Sequence, residues 1–176
     1  MEFSIQPTLT NDLVNILPLH ASDFERLYKV ASDPKVWEQH PNKNRYKREV
    51  FENFFKGALE SGGAFLIENK ESNEVLGSTR FYDYDPDLNL ILIGYTFYGA
   101  KFWGKNFNHS VKKSMLDYIF QFVEKVQFHV GALNIRSQVS ITRLGAVKID
   151  EINVAYYGEA PATNFVYEIS KLHWNT

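Results

Sequence analysis

Three strand-like runs follow one another between Ala64 and Tyr98 with no helix between them, and no other feature of the sequence constrains the fold as much. Ala64–Glu68, Val75–Tyr84 and Leu88–Tyr98 are separated only by Lys70–Glu74 and by Asp85-Pro86-Asp87, both turn compositions. A parallel pair needs a crossover of a dozen or more residues, so these runs have to be antiparallel neighbours. The chain is thereby committed to a meander whose faces the remaining segments must cover.

Upstream, Val14–Leu19 reads as a first strand, and Pro18 near its end points to a sheet edge. Ser22 or Asp23 can cap a helix carrying Phe24, Leu27, Tyr28 and Ala31, which Asp33-Pro34 ends. A second helix is expected from Tyr46 to Leu59, closed by Ser61-Gly62-Gly63. Downstream, a long amphipathic helix runs from about Asn108 to Glu124, with Val111, Met115, Ile119, Phe122 and Val123 on one face. A short strand, Val126–Val130, comes next. Asn134 then caps a helix reaching Leu144, where Gly145 stops it. Ala146–Tyr157 and Phe165–Lys171 complete the strands. The order β-α-α-β-β-β-α-β-α-β-β predicts an α+β fold, a mixed, mainly antiparallel twisted sheet flanked by helices on both faces. No repeat, low-complexity tract or linker divides it, so residues 1–176 are expected to form one domain.

Composition removes several classes of function. With 19 basic and 21 acidic residues the formal net charge is −2, which argues against nucleic acid or an anionic membrane as the main partner. Zero Cys excludes a cysteine nucleophile, an iron–sulfur cluster and thiolate zinc. The five His show no metal-ligand spacing, so no metal is expected, and no Gly-x-Ser-x-Gly elbow supports hydrolysis. Met1–Pro7 has no basic or apolar leader pattern, and no apolar run is long enough to span a membrane. The expectation is a soluble, cytoplasmic protein.

Chemistry concentrates in Gly99–Asn108, a glycine-containing loop between an apolar strand and the long helix. Such a loop offers backbone N–H groups and the positive end of the helix dipole to a phosphate, and Lys101 and Lys105 add charge there. The P-loop pattern nearly matches at Gly99-x-x-x-x-Gly104-Lys105. However, Asn106 replaces the magnesium-binding hydroxyl, and Ala-Lys-Phe-Trp is too bulky for a phosphate cradle.

A second template fits better. Trp103-Gly104-Lys105-Asn106-Phe107-Asn108 resembles the acyl-CoA loop of the GNAT N-acetyltransferases, and in particular the ribosomal-protein N-terminal (Rim-type) branch. Gly77-Ser78-Thr79 and Ile93-Gly94-Tyr95-Thr96 upstream, and Asn134-Ile135-Arg136-Ser137 with Leu144-Gly145-Ala146 downstream, resemble that family's strands and N-x-x-S … L-G-A signature. Ordered matches cover roughly residues 75–150. Asn106 and Asn108 depart from the family's small residues, and Ser110 stands where the branch often carries Glu. Asn is the least costly non-glycine residue in a left-handed conformation, so the loop is expected to keep its shape.

The resemblance implies acetyl transfer from acetyl-CoA, as co-substrate, to a primary amine by direct attack. The pantetheine arm would lie beside Tyr95, Thr96 and Phe97, and the pyrophosphate on the Trp103, Gly104, Lys105, Asn106, Phe107 and Asn108 loop. Asn134 would bond the pantetheine, and Ser137 would serve as the general acid at the sulfur. Arg136 is placed either on a CoA phosphate or on the solvated helix surface. Base candidates are Glu38, His40, Asp83, Tyr84 and Glu159. Phe81, Tyr82, Tyr84, Tyr156 and Tyr157 border the expected acceptor cleft, where alternation lets only half face one pocket. The fold leaves an edge strand through which a homodimer can form. A CoA-binding protein without catalysis and a P-loop nucleotide binder are the competing readings.

Overall fold

The computed structural model describes residues 3–155 and 160–174, so the expected cleft residues Tyr156 and Tyr157 and the base candidate Glu159 lie outside the described residues. Its strands are β1 (Leu9–Thr10), β2 (Val14–Pro18), β3 (Ala64–Asn69), β4 (Val75–Asp85), β5 (Leu90–Tyr98), β6 (Lys125–Gly131), β7 (Val147–Val154) and β8 (Ala162–Ser170). They form one sheet in the order β1-β2-β3-β4-β5-β6-β8-β7. The meander is present as expected, β3 to β4 to β5, all antiparallel. The β5–β6 pair is parallel because a helix connects the two strands.

The helices are α1 (Phe24–Ala31), α2 (Arg48–Glu60), α3 (Phe107–Ile119), α4 (Ile135–Thr142) and a single turn, α5 (Lys171–Trp174). Strand alternation divides the apolar residues into two cores. On one face Phe65, Ile67, Phe81, Ile91 and Ile93 meet Val111, Met115 and Ile119 of α3 and Ile141 of α4. On the other, Leu66 and Phe97 meet Leu27 of α1 and Phe51, Phe54 and Phe55 of α2, around a fully buried Trp37. The Trp37 indole N–H donates to the Ala31 carbonyl at 2.7 Å, so its polar end is satisfied inside this core.

Several boundaries differ from the sequence reading. α3 ends at Ile119, five residues short of Glu124. Phe120–Val123 fold into a tight turn that keeps Phe120 and Val123 in the core, and the Glu124 amide already bonds the Asn89 carbonyl. Apolar spacing ran on through Phe122 and Val123 because a turn can bury the same residues as a helix. The edge expected at Val14–Leu19 is partly covered: β1 pairs with Ile16 and Asn15 but does not reach Pro18. β5 starts at Leu90, leaving Leu88 63% exposed at the hairpin tip.

Two irregularities open the sheet. Between β4 and β5 the register passes from Ser78↔Phe97 to Arg80↔Gly94, so Tyr95 and Thr96 together oppose Thr79. This is a β-bulge, with Tyr95 at φ 51°. β5 pairs with β6 only at Leu90–Leu92 and then departs, while β6 stays paired with β8 as far as Gly131↔Asn164. The two strands fork just ahead of the bulge.

Candidate active site

The fork opens a cavity of about 820 Å³. Its walls are Ile93–Tyr98 of β5, Phe128–Gly131 of β6, the Phe102–His109 loop with Lys112 of α3, and Asn134–Ser137 with Val139–Ile141 of α4. At one end Gln39, His40, Pro41 and Arg45 close it together with Tyr82. Every residue expected to bind cofactor, and Ser137 with them, lines this one space.

The loop turns through two left-handed residues, Gly104 at φ 74° and Asn106 at φ 64°. Asn106 is the N-cap of α3, and no side chain caps the helix. The first amides of a thirteen-residue helix therefore lack a side-chain cap, and the residues of that first turn, Phe107–His109, line the cavity. A Cβ built on Gly104 meets nothing within 4 Å, so the turn requires glycine for its backbone angle while the space beside it stays open. Asn108 donates to Ser140 Oγ at 2.6 Å and ties α3 to α4. Its Oδ1 is buried without a partner, and so is the Tyr98 hydroxyl, whose pKa burial pushes up.

On β5, Tyr95 and Phe97 send their rings to the α1–α2 side: Tyr95 lies against the Arg80 guanidinium at 3.9 Å and Phe97 against Trp37 at 4.8 Å. Both residues line the cavity, where the Tyr95 ring also meets that of Tyr82 edge-on at 5.0 Å. Thr96 faces α3, its hydroxyl 2.8 Å from that of Thr79. Both hydroxyls accept from Lys112 Nζ, at 2.9 Å from Thr79 and 2.7 Å from Thr96. Burial lowers the Lys112 pKa to about 7.

Asn134 is buried and caps α4, its Oδ1 accepting from the Ser137 amide at 3.2 Å, which leaves its amide NH2 as the donating end. Arg136 lines the cavity from the start of α4 with its side chain partly exposed. Its guanidinium stacks on the Trp103 ring at 3.7 Å and donates to Glu38 Oε1 at 3.4 Å and to the Val36 carbonyl at 3.5 Å. The Trp103 indole N–H donates to the Tyr98 carbonyl at 3.0 Å. Trp103 and Arg136 thus bolt the loop to α4 and to the Val36–Gln39 segment. Lys101 departs from expectation: it pairs with Glu74 on the surface and does not line the cavity.

Among the described base candidates, only His40 lines the cavity, and burial with Arg45 and Arg136 nearby lowers its pKa to about 3, too low for a base at neutral pH. Glu38 is exposed and engaged with Arg136, Asp83 is exposed outside the lining, and Tyr84 rests on Phe3 at 4.8 Å. Of the hairpin aromatics, Tyr82 reaches the cavity and Phe81 is buried under α3, as strand alternation requires. Sequence reasoning missed Lys112, Tyr98, Arg45 and His129. Lys112 left a signal, because a lysine one turn before Met115 and Leu116 falls on the buried face of α3. Among the described residues no group of His, Asp or Glu could hold a metal ion, and no helix is long and apolar enough to cross a membrane.

Comparison with known proteins agrees with this geometry. The family model described as acetyltransferase (GNAT) domain matches residues 14–147, most of the chain. No curated protein sequence matches. Among solved structures, a GCN5-related N-acetyltransferase from Brucella melitensis superposes with a TM-score of 0.83 at 17% identity, over 97% of this chain and 81% of the other. An acetyltransferase (GNAT family) from Bacillus anthracis gives 0.76 at 16% identity over 94% and 99%. Spermidine N-acetyltransferase from Vibrio cholerae, in complex with CoA and spermine, gives 0.71 at 13% identity over 94% and 100%.

Proposed function

The chain belongs to the GNAT acetyltransferase family, and on that premise we propose that it transfers an acetyl group from acetyl-CoA to a primary amine, a protein N-terminus or a small amine, by direct attack in a ternary complex. The observation that carries this reading is the cavity at the fork of β5 and β6, which joins a helix N-terminus to the edge of β5 that β6 leaves.

The residues present fit the co-substrate. The open space beside Gly104, the uncapped start of α3 and Lys105 suit a pyrophosphate. Past Leu92 β5 pairs with β4 but no longer with β6, so its β6-side edge at Gly94–Phe97 can accept the amide-bearing pantetheine arm as an extra strand, and the Asn134 amide can donate to it. The buried, unpartnered Asn108 Oδ1 and Tyr98 hydroxyl are two groups that a polar ligand would satisfy. A backbone N–H at the bulge would polarise the thioester carbonyl and hold the developing oxyanion, and Ser137 would bond the departing sulfur from the start of α4. The amine enters from the end closed by His40, Arg45 and Tyr82. With His40 held neutral as a poor base, the amine loses its proton to water rather than to that imidazole.

Titration calorimetry with acetyl-CoA is the direct test. Enzymes bind their substrates between about 1 μM and 1 mM, so no heat of binding at millimolar acetyl-CoA would overturn the reading. Because the chain has no cysteine, a thiol reagent reports released CoA without background from the protein. Thiol release that depends on an added primary amine is the expected result, and binding without release from any amine would favour the non-catalytic alternative.

A further inference from the structure

The reading above leaves Lys112 without a task. The residue is 3% exposed, and its Nζ reaches the cavity wall at Thr96, one of the two bulged residues just past the point where β5 leaves β6. Thr79 and Thr96 take two of its N–H groups, so one N–H of the ammonium remains for a ligand. A lysine is a costly choice here, because a methionine would fill the same space without burying a charge.

No neighbouring charge compensates it among the described residues. On α3, His109 and Lys113 are exposed, Lys113 pairing with Asp117. On β4, Arg80 stacks under Tyr95 on the opposite face and Asp83 is exposed. On β6, His129 alternates away from Val126, Phe128 and Val130, which face α3. Arg143 of α4 is exposed, and the Tyr98 hydroxyl on β5 stays protonated because burial raises its pKa.

We infer that Lys112 is the proton donor to the sulfur that leaves the acetyl group, an assignment that rests on the acetyl-transfer reading. The amine nitrogen forms its bond to the acetyl carbon, and the carbon–sulfur bond breaks with its electron pair on sulfur. The Lys112 ammonium gives that sulfur a proton, and the proton shed by the attacking nitrogen to solvent balances its later reprotonation. Burial makes the group suitable. At about 7 it lies below the ~8.5 of an ordinary thiol, so transfer from nitrogen to sulfur runs downhill. A surface lysine would hold its proton more tightly than the thiol does. Ser137 can orient the sulfur, but a serine hydroxyl is a far weaker acid.

Lys112→Met keeps the packing and removes the proton. The expected kcat falls about 100-fold, the usual scale of general acid catalysis, with KM for acetyl-CoA nearly unchanged. A general acid must be protonated, so wild-type kcat declines as pH rises past about 7, and the variant loses that limb. Two readouts do not depend on turnover. In ligand-free protein labelled at lysine Cε, the resonance missing from Lys112→Met should titrate near 7, and the variant should be at least as stable to urea at pH 6 as wild type. A titration midpoint above about 9, lower stability of the variant, or wild-type-like kcat with the limb retained overturns the assignment and leaves the acetyl-transfer reading intact. A wild-type protein that neither binds nor consumes acetyl-CoA overturns both.

Discussion

At Asn106 the chain places a side chain where the backbone calls for a glycine conformation. Its φ of 64° sits in the left-handed region, which Asn enters at lower cost than other residues with a Cβ because its short polar side chain bonds locally. The resemblance to the acyl-CoA loop already implied such an angle here, because the family carries a small residue at this point. Asn106→Ala should therefore cost about 1 kcal/mol. That corresponds to a melting temperature lower by ~2–4 °C for a chain of this size. Asn106→Gly should melt within a degree or so of wild type, and thermal denaturation of the pair checks both. Equal melting of the alanine and glycine variants would mean that the angle carries no strain. Lys112 shows the opposite case. Its position on the apolar face of α3 was visible, but the two threonines that receive its protons come from β4 and β5, and only the folded register brings them together.

The β4–β5 pair shows why element boundaries and irregularities resist reading. The two runs and their turn were plain in the alternation of the sequence. The bulge was not, because nothing in a list of apolar residues marks Tyr95 and Thr96 as the pair opposing one residue. Its trace is Gly77 on β4, which pairs with Tyr98 just beyond the bulge. A Cβ there would lie 1.9 Å from the Phe97 carbonyl oxygen and 3.0 Å from Tyr98 Cα, both backbone atoms that cannot swing aside. Glycine is thus what lets β4 approach the strand just beyond its bulge. Gly77→Ala should destabilise the protein by about 1–3 kcal/mol as the strands separate. It should also weaken acetyl-CoA binding, because the displaced backbone borders the fork. Unchanged melting and affinity in Gly77→Ala would show that β5 can shift without consequence. The early end of α3 has a related origin: hydrophobic spacing reports which residues are buried, not whether a helix or a turn buries them.

For the molecule as a whole, the arrangement is two apolar cores on opposite faces of one sheet, with the cavity at the point where that sheet forks. The element order was legible because strand and helix periods differ and the connections are short; the cavity was not, because it is defined by hydrogen bonds that are missing between β5 and β6. Charge behaves the same way. A net −2 over the chain says nothing of the cavity, whose described lining holds Arg45, Lys105, Lys112, Arg136 and Arg143 and no Asp or Glu. On the acetyl-transfer reading, such a lining would draw in the phosphates of CoA and work against a polycationic acceptor, since like charges brought into a confined, poorly solvated space repel strongly. Similarity of fold to a spermidine acetyltransferase therefore does not carry over to the acceptor. Spermine should be acetylated with a kcat/KM at least about tenfold below that of a monoamine of similar length, a penalty of ~1.4 kcal/mol. Raising ionic strength should weaken acetyl-CoA binding while narrowing the gap between the two amines, because both effects arise from the same screened charges. Thiol-release kinetics with the two amines at low and high salt measure this, and a preference for spermine would overturn the charge argument.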